Sequence, residues 1–541
     1  MKNYLPDIYQ WSKKRHFLIL ALVLAFVLSM IGANWGRVEC WNLDQMVFPF
    51  RGIQHNGLPS GGYLKPPLHT YLNHLLVLKP IEGIRHHLST NIRTEYPFQL
   101  IGVRVLTTLL FCGMIFSLYS CARRASGTIA AGIIALLTAT SAGLLVFNHF
   151  ATTDSPLLFW MTASVAMAVR AGATGTLRDS MIAGLLAGLA TADKYNGLGA
   201  ALALPVSLIV GRGIKSALRL PFWAGAFSVP AGFIIGCPGA VFETRNFIND
   251  FLYNLYTTPV YSGDVNRTGY IDFLCCIPDL IGWPASLLIG ISLITSFILL
   301  IRSGLQPSER LLLAATGTVF LFYYLSIGRF PRMADRFVLP VIPFLFLMAT
   351  PGLVFLSRYR VIISAILLLV VGYNIACCLE LGQRFLSDPR MDAQRYAETH
   401  FAKGSLIENT YAPEWNRLPS LDVTVSRMPL ATGRKERFEK LFGNNPVIEE
   451  GVRNHELLDY PTDTFTREGL RKRNPDFVTF SNQVYQFTGD DQAQRFYRDL
   501  DEGRLGYKRV YEKTWRPRAC WSYPKDVDFL AERMVILERI E

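Results

Sequence analysis

The sequence lacks the motifs of several common protein classes. Its nine cysteines are scattered over 541 residues and form no Cys-x-x-Cys pair, which excludes a disulfide-stapled scaffold and a zinc-ribbon type of domain. It has no Gly-Lys-Ser/Thr phosphate loop and no dinucleotide-binding glycine fingerprint between a predicted strand and a helix. No internal repeat or low-complexity tract is visible. We therefore expect neither a bound nucleotide nor a repeat architecture.

Long apolar runs are abundant. Half of the residues are hydrophobic and the mean hydropathy is +0.25. We expect about eleven transmembrane helices, because most runs have the length that crosses a bilayer: residues 17–33, 100–121, 128–147, 156–169, 181–191, 198–210, 221–240, 277–301, 311–327, 337–356 and 361–378. The first run could also be a signal peptide, but the many later spans favour an uncleaved helix. The predicted fold is a polytopic α-helical membrane protein with a small C-terminal α/β extracytoplasmic domain.

The net charge of +12 lies entirely in the first part of the chain, since residues 381–541 contain 26 basic and 26 acidic side chains. A cytoplasmic N-terminus places every short basic loop inside, as the positive-inside rule requires. The basicity therefore reports membrane topology, and we expect no nucleic-acid partner. The same threading puts residues 34–98, 241–274 and the whole C-terminal region on the outer face.

Two domains are predicted. Residues 1–380 form the transmembrane domain with its long first outer loop at 34–98, and residues 381–541 form the extracytoplasmic domain. In the latter, short apolar runs such as "PDFVTFS" alternate with amphipathic segments such as "DDQAQRFYRDL". Strands alternating with helices are typical of α/β domains.

Acidic residues stand at the outer ends of predicted spans. "ECWNLDQMVF" contains Glu39 and Asp44 just after the first span, and "NHFATTDSPLLFW" places His149 and Asp154 before the fourth. Carboxylates at a membrane edge are candidates for function. The alternatives are a solvated loop residue for Asp44 and, for Asp154, a helix N-cap with Pro156 in the first turn.

Cations also lie on the outer side, against the topological trend. "GYLKPPLHTYL" holds Lys65 beside two prolines that prevent a helix, with His69 and Tyr71 nearby. A fixed ammonium at the headgroup level suits a phosphate. The alternative is contact with lipid headgroups. Further outer cations are Lys194, next to Tyr195, and Arg329, Arg332 and Arg336.

The order of these segments resembles a known family. "NLDQMVF", "YLKPPLHTYL", "TTDSPLLFW", "GLLAGLATADKYNGL" and "RFVLPVIPFLF" are similar to successive motifs of the GT-C class glycosyltransferases that use polyprenyl-phosphate sugars. Within that class the chain resembles the dolichyl-phosphate-mannose protein mannosyltransferase-like group, glycosyltransferase family 39, which includes the lipid A aminoarabinose transferase. Two positions depart from the pattern: Gln45 replaces a second acid, and Leu64 replaces the glutamate that precedes the lysine in the aminoarabinose branch.

The resemblance implies a function and roles for these residues. Asp44 would be the catalytic base and Asp154 would orient the acceptor in an inverting transfer of a hexose or pentose. The donor phosphate would be held by Lys65, Lys194, Arg329, Arg332 and Arg336. The acceptor would be a lipid A or core glycolipid, a protein or a wall glycan.

Candidate substrate contacts are Glu39, His55, His69, Tyr71, His149 and Tyr195. No cofactor is certain. A divalent metal stays open, since Glu39 and the three histidines offer ligands without a spacing that demands one.

Other functions are compatible with the sequence. A multi-span lipid or glycolipid transporter would also place charges at the membrane edge, but it would favour an internal repeat or paired broken helices. An oligosaccharyltransferase-like or polymer-ligating enzyme and a catalytically silent scaffold are the remaining alternatives. The short loops and the missing disulfides favour a bacterial inner membrane.

Overall fold

In the computed structural model of the chain, the described residues are 16–36, 63–88, 95–261, 268–330, 333–402, 404–409, 424–427, 465–481, 491–516, 518–521, 523–524 and 533–540. The apolar runs are helical, because a helix satisfies every backbone hydrogen bond within its own segment in a medium without water. The α-helices are α1 His16–Met30, α2 Leu68–Asn73, α3 Lys79–Leu88, α4 Glu95–Ser126, α5 Thr128–Ala139, α6 Ala142–His149, α7 Asp154–Thr174, α8 Leu177–Asp193, α9 Ala203–Arg212, α10 Leu220–Gly236, α11 Gly239–Phe242, α12 Thr244–Tyr261, α13 Tyr270–Ile281, α14 Trp283–Ile301, α15 Pro307–Ile327, α16 Asp335–Val338, α17 Ile342–Leu356, α18 Arg360–Leu386, α19 Pro389–His400, α20 Arg467–Arg473 and α21 Asp491–Asp501.

Six helical segments of the described residues are long and apolar enough to cross a membrane. The pair α5 and α6, bent by 53°, would make a seventh span, and α1 and α10 are shorter apolar helices. The predominantly helical membrane fold predicted from the sequence is confirmed. The predicted count of eleven spans stays a prediction.

The chain divides into two compact units. The first comprises Met1–Ala33, Met46–Gly382 and Ala519–Asp526, and the second comprises Asn34–Gln45, Gln383–Arg518 and Val527–Glu541. Most of the charged and polar side chains that the sequence analysis singled out therefore belong to the first unit.

Small residues bring two helices of the first unit into backbone contact. A Cβ atom at Gly184 or Gly188 of α8 would collide with the carbonyl oxygen of Gly225 or Val229 in α10. Close approach of this kind lets helices associate in lipid, where no hydrophobic driving force acts between them. The crossing fixes α8, whose last residue is Asp193.

The second unit contains a mixed sheet of five strands: β1 Leu406–Asn409, β2 Thr424–Arg427, β3 Phe477–Ser481, β4 Tyr507–Thr514 and β5 Arg533–Arg539. The strand order is β2-β1-β3-β5-β4, with β1 parallel to β2 and β3, and β5 antiparallel to β3 and β4. Alternate residues of β3 and β5 enter two different buried clusters, one with Ala393 and Ala397 of α19 and one with Leu470 of α20 and Phe496 of α21. Helices thus cover both faces of the sheet.

Candidate active site

A sharp turn presents Asp154 at the start of α7. Ala151, between α6 and α7, has a φ of 53°, in the left-handed region that a residue with a Cβ rarely adopts. Thr153 is the N-cap of α7, so the N-cap alternative for Asp154 is wrong: Asp154 is the first helical residue. Its carboxylate stays close to the positive end of the helix dipole and is available to other partners.

The main partner of Asp154 is Lys194. Lys194 Nζ lies 2.6 Å from Asp154 Oδ1, and the Thr152 hydroxyl donates to Oδ2 at 3.0 Å. Arg336 adds a further favourable charge interaction with the same carboxylate. Lys194 follows directly after α8 in an extended conformation. Two predicted site residues that are 40 positions apart in the sequence are therefore an ion pair in the fold.

The segment that carries Lys65 is held by hydrogen bonds on its main chain. Tyr195 Oη donates to the Tyr63 carbonyl oxygen at 2.5 Å, and the Tyr63 N–H donates to Asp250 Oδ2 at 2.7 Å. Asn254 Nδ2 donates to the Leu64 carbonyl oxygen at 2.5 Å. Because Tyr195 follows Lys194, the Lys65 segment is joined to the segment that contains the Asp154 partner.

One face of α12 supplies most of these contacts. Phe247, Asp250, Phe251 and Asn254 have the spacing of a single helix face. The Phe247 ring lies 5.8 Å from the Tyr63 ring and 6.4 Å from the Tyr195 ring, and the Phe251 ring lies 5.0 Å from the Tyr195 ring. We call α12 with its Asp250 and Asn254 side chains the clamp helix. It fixes the main chain immediately before Lys65, while the Lys65 side chain is exposed.

The phenol of Tyr63 packs against Gly239, the first residue of α11. Tyr63 Oη donates to Glu243 Oε2 at 3.0 Å, and a Cβ atom at Gly239 would collide with the phenol. Burial, and then the Glu243 carboxylate, raise the pKa of Tyr63, so the phenol stays protonated and remains a donor. Gly239 therefore leaves the room that the Tyr63 side chain fills.

Two buried polar side chains accompany the ion pair. His69 is fully buried, neither ring nitrogen has a hydrogen-bond partner among the described residues, and burial lowers its pKa to about 3. Asp193 is also fully buried, and the same part of the chain offers its carboxylate oxygens no partner of hydrogen-bond geometry. Its carboxylate lies near the His69 backbone N–H and the Asp154 carboxylate. A neutral His69 cannot serve as a cation for a phosphate.

The other predicted residues have different surroundings. His149 is buried, with Nδ1 3.2 Å from the Ser29 carbonyl oxygen and its own carbonyl oxygen accepting from Arg104. The Tyr71 hydroxyl is buried without a hydrogen-bond partner in the described structure. Arg329 is exposed and its guanidinium lies 5.2 Å from the Phe330 ring. The four remaining predicted residues lie outside the described residues: Glu39, Asp44, His55 and Arg332.

Several polar residues next to the site were missed by sequence reasoning. Asp250 and Asn254 are four residues apart on an outer-loop helix, a spacing that could have indicated a shared face. Asp193 stands in the quoted segment "TADKYNGL" directly before Lys194, but no pattern distinguished it. Glu243 gave no signal. No group of three His, Cys, Asp or Glu side chains within the described ranges could hold a metal ion.

Comparison with known proteins supports the predicted resemblance. The family model described as dolichyl-phosphate-mannose-protein mannosyltransferase matches residues 87–233, which include Asp154 and Lys194. No curated protein matches the sequence. The crystal structure of ArnT from Cupriavidus metallidurans bound to undecaprenyl phosphate is similar, with a TM-score of 0.52, 14% identity, and coverage of 96% of this chain and 97% of that chain.

The apo structure of the same protein gives a TM-score of 0.51 and 15% identity, and covers 98% of each chain. These likenesses extend the shared fold over nearly the whole chain. The resemblance to GT-C membrane proteins of the mannosyltransferase-like group is confirmed, and the chain is an integral membrane protein of that fold.

Proposed function

We propose that this GT-C-type membrane protein is a glycosyltransferase that moves a sugar from a polyprenyl-phosphate donor to an extracytoplasmic acceptor. The observation that carries the proposal is the connection between the Lys65 segment and the Asp154–Lys194 pair through Tyr195. It combines a fixed cation for a phosphate with a carboxylate for a hydroxyl acceptor. The transporter alternative has no support from the comparisons.

The roles follow from the chemistry that each group offers. Lys65 would bind the phosphate of the donor, with Arg329, Arg332 and Arg336 as further cations. Asp154 would orient the acceptor, and its pairing with Lys194 keeps the carboxylate ionised for that purpose. Asp44 is the proposed base that takes the acceptor proton in an inverting displacement. The leaving group is then a polyprenyl phosphate.

The donor carrier has a first candidate. ArnT from Cupriavidus metallidurans has been solved with undecaprenyl phosphate, so polyprenyl-phosphate hexoses and pentoses are the first donors to test. The proposed acceptors are a lipid A or core glycolipid, a protein or a wall glycan. The proposed location is a bacterial inner membrane, with eleven spans, a cytoplasmic N-terminus and residues 381–541 as an extracytoplasmic domain.

The test is donor turnover. Protein purified in detergent with native lipid is supplied with a panel of polyprenyl-phosphate sugars and acceptor extracts, and released polyprenyl phosphate is followed by mass spectrometry. We expect release by the wild type and strongly reduced release by Asp44→Asn. If well-folded wild type releases nothing from any donor, the transferase proposal is wrong. Equal release by both forms would keep the enzyme and reject Asp44 as its base.

A further inference from the structure

The C-terminal end of α18 contacts a short segment near Cys520 within the first unit. Glu380 Oε2 accepts hydrogen bonds from the N–H groups of Ala519, at 3.0 Å, and Cys520, at 2.8 Å. The Trp521 N–H donates to Tyr373 Oη at 3.1 Å, and the two rings are 6.1 Å apart. Three consecutive residues are thus held on one stripe of the helix.

Cys377 lies on that stripe between Tyr373 and Glu380. Its thiol is a hydrogen-bond partner of the Cys520 thiol. Both side chains are buried, at 2% and 3% exposure. The adjacent Cys378 points elsewhere, because its Sγ donates to the Thr140 carbonyl oxygen at 3.1 Å. The structure therefore selects one cysteine of the Cys377–Cys378 pair as the neighbour of Cys520.

We propose that Cys377 and Cys520 form a disulfide bond in the mature protein. The inference rests on the proposed orientation, in which this end of α18 and Cys520 lie on the oxidising extracytoplasmic side, where disulfides form and persist. No sequence pattern indicated this pair, because the two cysteines meet only in the fold. The eight cysteines of the described residues are all thiols in this structure.

The reaction is a thiol–disulfide exchange with an external disulfide donor, either a protein or a small molecule. One of the two thiols loses its proton and attacks a donor sulfur, which gives a mixed disulfide and one donor thiol. The second thiol then displaces the remaining donor sulfur. The new S–S bond replaces the donor's S–S bond, and the donor leaves with both protons and two electrons as thiols.

The bond would close a long loop of chain at two residues that are already in contact. Closing such a loop restricts the unfolded chain and stabilises the folded one, provided that the native geometry is not strained. Here the backbone on both sides of Cys520 is hydrogen-bonded to side chains of the same helix. The cross-link would need little rearrangement to form.

The test is a thiol map of the full chain. The protein is expressed in a bacterial host with an oxidising periplasm, quenched with N-ethylmaleimide under denaturing conditions, digested without reductant and analysed by mass spectrometry. We expect a peptide that joins Cys377 to Cys520 and disappears after reduction. Cys377→Ser should leave Cys520 fully alkylated. The matched control Cys378→Ser, one position away, should keep the cross-link.

Recovery of both cysteines as alkylated thiols in the wild type would overturn the proposal, as would a cross-link that uses Cys378 or Cys40 instead. A second measurement compares thermal unfolding with and without reductant. The wild-type midpoint should fall by several degrees, and the Cys377→Ser/Cys520→Ser variant should not respond. Donor turnover is measured on the same preparations, so that an inactive but cross-linked protein is distinguished from an active protein without the bond.

Discussion

Two charged clusters, one in each unit, show how differently ion pairs are built for two purposes. In the first unit, Lys194 contacts a single oxygen of Asp154, and the lysine side chain is 27% exposed. In the second unit, Arg533 Nη1 and Nη2 donate to both oxygens of Asp501 at 2.6 and 3.0 Å. Arg509 contacts the same carboxylate at 2.7 Å, and Glu512 accepts from both arginines.

The difference lies in the geometry of the cation. The planar guanidinium fork fits a carboxylate with two parallel bonds and holds it in one orientation, whereas an ammonium acts as a point charge with a flexible stem. The Asp501 cluster is therefore a closed structural network. In the Asp154–Lys194 pair, by contrast, the ammonium can turn to a phosphate and the carboxylate can accept a hydrogen bond from a hydroxyl. The comparison teaches that an ion pair in a functional site differs from a structural one in its geometry: the cation contacts one carboxylate oxygen and not both.

The largest expected effect comes from the open pair. Asp154→Asn keeps the size of the side chain but removes the charge that holds Lys194 and orients the acceptor. We expect sugar transfer to fall about 100-fold, as for misplacement of a reacting group, with the protein still monodisperse in detergent. The measurement is kcat with the donor identified by the turnover assay.

The matched control is Asp179→Asn. Asp179 is a buried acid in the first turn of α8 whose carboxylate accepts hydrogen bonds from Arg170 and Thr174, while its backbone N–H donates to the Thr176 hydroxyl. Its replacement should leave kcat of the folded protein within about twofold of the wild type, since its partners lie between the last turns of α7 and the start of α8, and Asp154 is at the other end of α7. Equal losses in the two variants would remove the distinction between a functional and a structural carboxylate.

The clamp helix should affect donor binding rather than chemistry. Replacing Asp250 and Asn254 by alanine removes two hydrogen bonds to the main chain before Lys65. We expect KM for the donor to rise about tenfold, the equivalent of about 1.4 kcal/mol, with kcat less affected. Asn246→Ala, at an exposed position of the same helix, is the control and should change neither constant. A fall in kcat with unchanged KM would contradict the role of the clamp helix.

The Asp501 cluster should contribute to the stability of the second unit. Arg533→Ala removes one of the two arginines that donate to both Asp501 and Glu512, and we expect a loss of about 2 kcal/mol in the free energy of unfolding of the second unit, as for hydrogen bonds to charged groups. Chemical denaturation followed by tryptophan fluorescence of the full chain measures the change. An Arg533→Ala protein as stable as the wild type would show that the network is only a surface arrangement.

The smallest effect is a pH dependence from the same network. Burial alone would raise the pKa of Asp501, but the Arg533 and Arg509 guanidiniums overcome it and hold that pKa below its ordinary value. The unfolded state then binds the proton more readily, so the stabilisation is present above pH of about 4 and is lost as the pH falls through the folded pKa. Asp501→Asn should flatten this acid limb in thermal unfolding measured between pH 3 and 6. An unchanged acid limb would exclude Asp501 as its source.

Sequence patterns predicted the helical membrane fold well, because hydropathy over 17–22 residues depends only on the local chain. In the second unit, "PDFVTFS" and "DDQAQRFYRDL", predicted as a strand and a helix, overlap β3 and α21. Neither α20 nor β5 was predicted: α20 is a short, highly charged helix without a long apolar period, and β5 is followed by no turn signal.

The site was harder to predict than the fold. Asp154, Lys65 and Lys194 were singled out because charged side chains at the outer edge of a membrane are candidates for function. Their mutual arrangement depends on Tyr195 and the clamp helix, which are joined to the Lys65 segment by contacts over 130 or more residues of sequence. The periodic pattern of apolar residues along the sequence, which predicts helices and strands, contains no information on such distant contacts. Asp193 and the Cys377–Cys520 pair were missed for the same reason.

The space that Gly239 leaves for Tyr63 has a consequence for how the sequence can change over time. The two positions are complementary in size, so neither can vary freely while the other is kept. We expect related chains that retain tyrosine at the position of Tyr63 to retain glycine at that of Gly239, and larger residues at 239 to occur with a smaller residue at 63. An alignment in which alanine or larger side chains at 239 accompany tyrosine at 63 would contradict this coupled inheritance.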